Sequence, residues 1–315
     1  MKRVLPLLLL LTACQPEEPA AEIPVLEPPP AGDGVQFAMT GVTVGPYEES
    51  WMCSVYPIPA DETLNVNWTH HLQNEGMHHM TLSAPGLGRS GIPYGTVPCE
   101  DLYADTELMA ETAIIYGSQG TADAEMHLPD GVVAALPPTL DIIHEMHYVN
   151  PTDKPVELYS YINAYTIPES QVVDAIWGGS VRDEYIVIPP VSSHTEWSRC
   201  VFNRDVEVIF LSSHTHGLGV EFTIAPFDGV ETGPVIYTNT DWHDPAIVQY
   251  DPPLVVPQGQ GFEWTCTWEN DSEDEIHYGL NSTDEMCNLA VVHTPFDISA
   301  HCEVVETSDG VLWSP

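Results

Sequence analysis

Proline and glycine interrupt this chain too often for long helices to form, because 29 prolines and 22 glycines are spread through its 315 residues. Between the interruptions apolar and polar residues alternate, as in VELYSYINAYTI (156–167) and GFEWTCTWEN (261–270). Such alternation puts apolar side chains on one face of a strand. The sequence therefore predicts an all-β fold of two antiparallel sandwiches, with a boundary in TIPESQVVDA (166–175) and a short helix only at DTELMAETAII (105–115). It contains no convincing internal repeat.

The N-terminal segment indicates export. MKRVLPLLLLLTAC (1–14) has a basic start and an apolar run too short to span a membrane. LTAC resembles a bacterial lipobox, which implies cleavage before Cys14 and a lipid on its sulfur. The following stretch is rich in Pro and Glu and reads as a tether. We expect a protein lipid-anchored in the bacterial cell envelope, with a lipoprotein signal peptide at 1–13, a tether at 14–34, and domains at 35–168 and 169–315.

The charge limits the partners. The formal net charge is -40, from 47 acidic and 7 basic side chains. Nucleic acid and anionic membrane surfaces would be repelled, so we expect membrane contact only through the lipid anchor. The acidic run ENDSEDE (269–275) lacks the regular ligand spacing of a calcium loop and is interpreted as a solvated loop.

The cysteines predict disulfides. Seven cysteines minus the lipidated Cys14 leave six, and an exported protein can oxidise them. Six cysteines allow 15 connectivities, between which spacing cannot choose. No C-x-x-C pair is present, which disfavours a zinc ribbon.

Clustered histidines predict a metal site. Fourteen histidines include the clusters THHLQ, GMHHMTL, HEMHYVNP and SHTHGLG. If SHTHGLG is a strand, His214 and His216 share a face, whereas the neighbours His78 and His79 can share a metal only if the backbone twists or bulges. Imidazole suits copper, zinc, iron or nickel, and a thioether favours Cu(I). Met286 offers that thioether, although a methionine before an apolar strand is usually a core residue.

Four of these motifs together resemble a known family. GMHHMTL, EMHYVNP, SHTHGLG and TDEMCNL have the order and approximate spacing found in copper type II, ascorbate-dependent monooxygenases, the family of peptidylglycine α-hydroxylating monooxygenase and dopamine β-hydroxylase. The resemblance covers residues 35–304. It implies two jelly-roll domains that face each other across an open, solvent-filled cleft, and it selects His147 over His144. The implied ligands are His78, His79 and His147 for one copper, and His214, His216 and Met286 for the other.

The resemblance also implies a function. Three imidazoles suit an electron-transfer copper, while two imidazoles and a thioether favour Cu(I) and O2 binding, so the catalytic set is His214, His216 and Met286. We expect a monomeric oxidoreductase that hydroxylates a C–H bond of a small organic substrate, with two copper ions and with ascorbate or a similar reductant as co-substrate. The alternative is a non-catalytic copper-binding or copper-buffering lipoprotein. A metal-dependent hydrolase is disfavoured, because methionine is a poor zinc ligand and no G-x-S-x-G motif occurs.

The same comparison implies disulfides and a substrate preference. Ser212 and Ala290 stand where peptide-hydroxylating members have an arginine and a tyrosine that bind a carboxylate, although Asn288 is retained. We therefore expect a neutral or cationic substrate. The implied disulfides are Cys53–Cys99, Cys200–Cys302 and Cys266–Cys287, of which the last would brace Met286.

Overall fold

The computed structural model describes residues 23–85, 92–104, 108 and 112–311. Within these residues the chain consists of β-strands joined by turns, with a single-turn helix α1 (Cys99–Leu102) and a 3-10 turn (Glu169–Gln171), so the all-β prediction is confirmed. The described part of the chain has no helix long and apolar enough to span a membrane. The predicted signal peptide and Cys14 lie outside the described residues.

The first domain is a sandwich of two sheets. In one of its sheets the strands follow the order β5 (Gly95–Pro98), β2 (Glu49–Pro57), β9 (Asp141–Val149), β4 (Met77–Ala84), β6 (Ala113–Ser118). In the other the order is β1 (Gly34–Val44), β10 (Val156–Thr166), β3 (Leu64–Gln73), β8 (Val132–Leu136), β11 (Asp174–Ala175), with β7 (Asp123–His127) also paired to β3.

One sequence prediction fails inside β6. The helix expected over 105–115 is wrong at its C-terminal end, because Ala113 and Ile114 pair with β4 in an antiparallel ladder. The two consecutive isoleucines of this segment are β-branched and favour extended backbone over helix. Leu108 is helical, as predicted, while residues 105–107 and 109–111 lie outside the described part of the chain.

The core of the first domain lies between its two sheets, so the outer face of β9 is free to carry polar side chains. Leu158 from one sheet meets Ile142 and Met146 from the other, all fully buried. Because side chains alternate along a strand, the odd-numbered residues of β9, Glu145 and His147 among them, point away from this core. They lie on the outer face of the β5-β2-β9-β4-β6 sheet.

The second domain is also a sandwich, with Trp264, Trp268 and Leu289 in its core. One sheet has the order β12 (Trp177–Arg182), β21 (Asn288–Thr294), β15 (Val206–His214), β18 (Val248–Val256). The other has the order β17 (Tyr237–Asn239), β16 (Gly219–Phe227), β19 (Gly261–Asn270), β14 (Ser192–Phe202), β22 (Cys302–Thr307), β23 (Gly310–Val311). A short pair, β13 (Val187–Ile188) and β20 (Ile276–His277), completes the domain.

Three disulfides tie these strands together, and they are the pairs that the family resemblance implies. Cys53 of β2 is joined to Cys99 of α1 in the first domain. In the second domain the bonds are Cys200–Cys302, between β14 and β22, and Cys266–Cys287, between β19 and the residue after Met286.

The two domains repeat one topology. The order β1-β10-β3-β8 in the first domain corresponds to β12-β21-β15-β18 in the second. Likewise, β2-β9-β4-β6 corresponds to β14-β19-β16-β17. The repeat escapes the sequence because the core positions are filled by different side chains that share only their alternation.

Each domain contains a corner loop that is held by the side-chain amide of one asparagine, and the two loops are built in the same way. In the first domain Asn150 Nδ2 donates to the carbonyls of Gly45 (2.8 Å) and Lys154 (2.8 Å), and Asn150 Oδ1 accepts the backbone N–H of Thr152 (3.0 Å). The Thr152 carbonyl in turn accepts the N–H of Tyr47, a non-glycine residue at φ 58°. The asparagine therefore fixes a left-handed residue at the start of β2.

The second domain builds the same corner. Asn270 Nδ2 donates to the carbonyls of Pro189 (3.0 Å) and Asp274 (2.9 Å), and Asn270 Oδ1 accepts the N–H of Ser272 (3.0 Å). The Ser272 carbonyl accepts the N–H of Val191, which has φ 47°. An acidic loop predicted to be merely solvated is thus organised around one buried amide.

Replacing the corner asparagine tests its structural role. Asn270→Ala should lower the free energy of unfolding by about 1–3 kcal/mol, because the part-buried hydrogen bonds to the Pro189 and Asp274 carbonyls are lost. Denaturant unfolding of the full chain measures this, with Asn239→Ala as the control, since the Asn239 amide bonds at the exposed surface. Equal effects of the two substitutions would contradict the assigned role.

Candidate metal centre

Three histidines meet on the outer face of β4 and β9. His79 of β4 lies directly opposite His147 of β9, and the register shifts between Met77 and His79. The shift is a β-bulge at His78, the irregularity that a shared metal requires of two consecutive histidines. One ring nitrogen each of His78, His79 and His147 lies within 4.8 Å of the other two.

Two carboxylates orient these imidazoles. Glu49 Oε1 lies 2.6 Å from His147 Nε2, and Glu145 Oε1 accepts a hydrogen bond from His79 Nε2. A carboxylate accepts, so each Nε2 carries the proton and each Nδ1 keeps its lone pair. His147 Nδ1 is buried and has no hydrogen-bond partner in the described structure. An orphaned nitrogen beside two further imidazoles fits a metal ion. His144 instead lies in the core, bonded to Tyr56 and Ser160.

Electrostatics keep this cluster in its metal-binding protonation state. Burial, reinforced by the neighbouring imidazoles, lowers the pKa of His78 far below its usual value. Burial followed by the charge of His79 lowers the pKa of His147 to about 4, despite Glu49. Burial alone would raise the pKa of Glu145, but hydrogen bonds and charge interactions with His79 and Trp51 outweigh it, and the pKa is lowered. Neutral His78 and His147 and a charged carboxylate therefore coexist at neutral pH.

The second predicted ligand set lies in the other domain. The sequence had indicated that His214 and His216 lie on one strand. In the structure β15 ends at His214, and His216 lies in the connection to β16. The two rings still come together, with centroids 5.2 Å apart. Met286 is 8% exposed and directly precedes Cys287 and β21, the strand paired with β15.

Hydrogen bonds fix the tautomers of this pair as well. His216 Nδ1 donates to the Asp284 carbonyl (3.0 Å), and His214 Nδ1 donates to Gln119 Oε1 (2.8 Å). Each Nε2 is left with its lone pair. Burial lowers the pKa of both histidines. Two neutral imidazoles together with the Met286 thioether would be a donor set that suits Cu(I).

Glu285 joins the segments that carry these ligands. Its buried carboxylate accepts the backbone N–H groups of His216 (2.9 Å), Leu218 (2.7 Å) and Met286 (3.2 Å) and the indole N–H of Trp268 (3.0 Å). Burial raises the Glu285 pKa, and the three backbone N–H donors oppose that rise. One side chain thereby fixes both the His216 turn and the methionine segment.

The two histidine sets lie in contact across the domain boundary. Ring centroids are 5.6 Å apart for His78 and His216, 6.5 Å for His78 and His214, and 6.3 Å for His79 and His214. The expected open, solvent-filled cleft between the sites is therefore wrong for this arrangement. The physical reason is a polar contact that holds the domains together beside the histidines.

That contact, the interdomain clasp, consists of turn 119–121 in the first domain and loop 242–244 in the second. Gly120 has φ +77°, and a Cβ there would lie 2.2 Å from the His243 carbonyl oxygen, so only glycine allows this approach. The Trp242 ring lies 5.8 Å from that of His78 and covers the histidines. Hydrogen bonds across the clasp run from Gln119 Nε2 to Trp242 O and from Thr121 Oγ1 to Asp244 Oδ1 (2.6 Å).

Comparison with known proteins decides the family. Residues 177–313 match the model of the copper type II ascorbate-dependent monooxygenase C-terminal domain. These residues therefore form a C-terminal domain of the copper type II ascorbate-dependent monooxygenase family. The match supports an oxidoreductase of the copper- and ascorbate-dependent class.

Other comparisons add little to this family assignment. A search of curated protein sequences finds no match. Among solved structures, PNGase F, a glycosylasparaginase from Flavobacterium meningosepticum, is 9% identical, with a TM-score of 0.34 over 85% of this chain and 99% of that chain. A similarity this low carries no conclusion about fold or function.

Sequence reasoning named the candidate ligands and missed the residues that orient them. Glu49 and Gln119 belong to no motif, since they reach the histidines only through strand pairing or domain contact. Glu145 lies in EMHYVNP, but its bond to His79 depends on the pairing of β9 with β4. Glu285 had one visible signal, its position directly before the ligand-like methionine in TDEMCNL.

Removing the Gln119 amide tests whether it positions His214. Gln119→Leu should weaken copper binding at the His214, His216 and Met286 set by about 10- to 100-fold, because the imidazole loses the acceptor that fixes its tautomer. The three-histidine set should keep its affinity. Competitive Cu(I) titration measures both, and Gln119→Glu, which keeps an acceptor, is the matched control. Unchanged affinity in the leucine variant would rule out this role.

Proposed function

We propose that this protein is a copper monooxygenase that hydroxylates a C–H bond of a small organic substrate, consuming O2, two electrons and two protons and releasing water. The observation that carries the proposal is the pairing of two chemically different donor sets. One offers three imidazoles. The other would combine the paired imidazoles of His214 and His216 with the Met286 thioether, whose segment is tied to His216 through Glu285. Membership of the family supports the same class of reaction.

The donor sets suggest a division of labour. Copper, when bound, would supply the one-electron redox chemistry that couples O2 reduction to C–H oxidation. The ligands His78, His79 and His147 would hold the ion that stores an electron. His214, His216 and Met286 would hold the ion beside which the substrate reacts, because a thioether stabilises the reduced metal.

The surrounding residues prepare both sets for metal. Glu49 and Glu145 keep the protons on the Nε2 atoms of His147 and His79, while Gln119 and the Asp284 carbonyl keep them on Nδ1 of the other pair. The proton positions of these four imidazoles are therefore set before metal binds. Trp242 and the clasp limit the access of water to the histidines.

The setting in the cell belongs to the same proposal. The exported, lipid-anchored location predicted from residues 1–14 would give the protein access to O2, copper and a small reductant such as ascorbate. Its acidic surface would keep it soluble as a monomer at the envelope.

Metal stoichiometry and O2 uptake test the proposal. The purified full chain should bind two copper ions, because the six ligands form two sets on separate domains. The ascorbate-reduced, copper-loaded protein should then consume O2 in step with hydroxylation of a C–H-bearing substrate. Two bound copper ions without substrate-dependent O2 uptake would favour the copper-buffering alternative, and a single copper or preferential zinc binding would contradict both.

Met286→Ile separates ligation from packing. Isoleucine keeps a similar apolar volume but cannot coordinate metal, so the fold and the three-histidine copper should persist while hydroxylation is lost. Copper content, circular dichroism and product formation measure the three properties. Met80→Ile, in the first core, is the control for packing. Full turnover in the Met286 variant would make this methionine a core residue only.

A further inference from the structure

A row of three side chains crosses the outer face of the sheet that carries His214. Arg182 of β12 lies directly opposite Asn288 of β21, and Asn288 lies directly opposite His214 of β15. Directly opposed residues on antiparallel strands point to the same face. Val181 and Leu289, the chain neighbours of Arg182 and Asn288, pack in the core and confirm that the row points outward. The Arg182 backbone is thus about 10 Å from that of the predicted catalytic ligand.

Arg182 lacks a counter-ion. Among the described residues Arg199 pairs with Glu263 and Arg204 with Asp297. No described carboxylate lies within 4.0 Å of the Arg182 guanidinium, although the chain has 47 acidic residues. A half-buried guanidinium without a carboxylate beside it is costly to the fold, which points to a partner that arrives from outside.

Further polar atoms near Arg182 are buried and unsatisfied. Asn288, which is 5% exposed, has an Oδ1 without a hydrogen-bond partner among the described residues. The hydroxyl of Tyr278 is buried beside the guanidinium without a well-aligned hydrogen bond. The charge of Arg182 also acts on His214 and on Tyr103 of the first domain. The arginine therefore lies between the two domains and next to the catalytic set.

The adjoining row carries only small side chains. Ser180, Ala290 and Ser212 oppose each other in the same way on the same face, two residues further along each strand. Their side chains are small, so they project little from the sheet beside Arg182. Two of them, Ser212 and Ala290, hold the positions where an arginine and a tyrosine had been expected for a carboxylate-binding enzyme.

We infer that Arg182 is a substrate-binding residue and that the substrate carries a carboxylate. The guanidinium can hold a carboxylate through two parallel N–H···O bonds, and the Tyr278 hydroxyl can donate a third. This inference rests on the proposed function for the hydroxylation of the substrate, whereas carboxylate binding by Arg182 can be tested without it. Ser212 and Ala290 had led us to expect a neutral or cationic substrate. We replace that expectation because Arg182 supplies a positive charge from β12, which lies two strands from β15 in the sheet.

The acidic surface does not oppose this assignment. Repulsion between the chain and an anion is screened beyond about 8 Å at physiological salt, so it slows the approach of the ligand and leaves the contact with Arg182 intact. Added salt should therefore speed the association of a carboxylate ligand.

Binding measurements test Arg182 without requiring turnover. We would titrate the copper-loaded, ascorbate-reduced full chain with fluorinated arylacetic and alkanoic acids, each paired with its primary amide, and follow fluorine NMR. Wild-type protein should bind at least one acid about 10- to 100-fold more tightly than its amide, and Arg182→Gln should remove that preference. Arg182→Lys should retain part of it, since lysine keeps the charge without the planar fork.

The matched control is Lys154→Gln, which removes the same charge from an exposed loop and should leave every affinity unchanged. An acid preference that is absent in the wild type, or that survives Arg182→Gln, would overturn the inference. Arg182-dependent binding without any hydroxylation would contradict the proposed function and leave the inference intact. Equal hydroxylation of acids and amides by both wild type and Arg182→Gln would contradict the inference and support the proposed function.

Discussion

The second donor set depends on one buried carboxylate. Glu285 is fully buried and accepts four N–H groups, from the turn of His216, from Met286 and from the core indole of Trp268. Without it, three backbone donors would be unsatisfied in an apolar core, so neither the turn nor the methionine segment has an alternative position of similar free energy. The Cys266–Cys287 disulfide ties the same segment to β19. The donor set is therefore held by the second domain itself.

Among the described residues, one hydrogen bond to that set comes from the other domain. Gln119 holds His214 and at the same time bonds to Trp242, so the hydrogen bond that fixes a ligand is also part of the clasp. Glu49 behaves similarly, since it accepts from His147 in its own domain and from Ser282 in the second. Docking of the domains and orientation of the imidazoles are thus coupled. Separation of the domains would release both at once.

The sequence predicted what depends on local pattern. Alternation gave the strands, and four motifs gave the six ligand candidates, including the requirement for a bulge at His78 that the register of β4 and β9 meets. The failures involve pairing across the chain. Arg182 and His214 are 32 positions apart in the sequence and share a row only because β21 lies between their strands. Strand order and register cannot be read from alternation alone, which specifies a face but no neighbour.

The repeated topology explains why the two donor sets differ. The first set lies on β4 and β9, whose counterparts in the second domain are β16 and β19, while the second set lies at the ends of β15 and β21, counterparts of β3 and β10. The domains therefore meet through non-equivalent sheets. In such a heterologous contact the two domains use different surfaces. The residues at the contact in one domain therefore need not match those in the other. One scaffold used twice can in this way present an all-imidazole set opposite a thioether-containing set, with Arg182 on only one of the two faces.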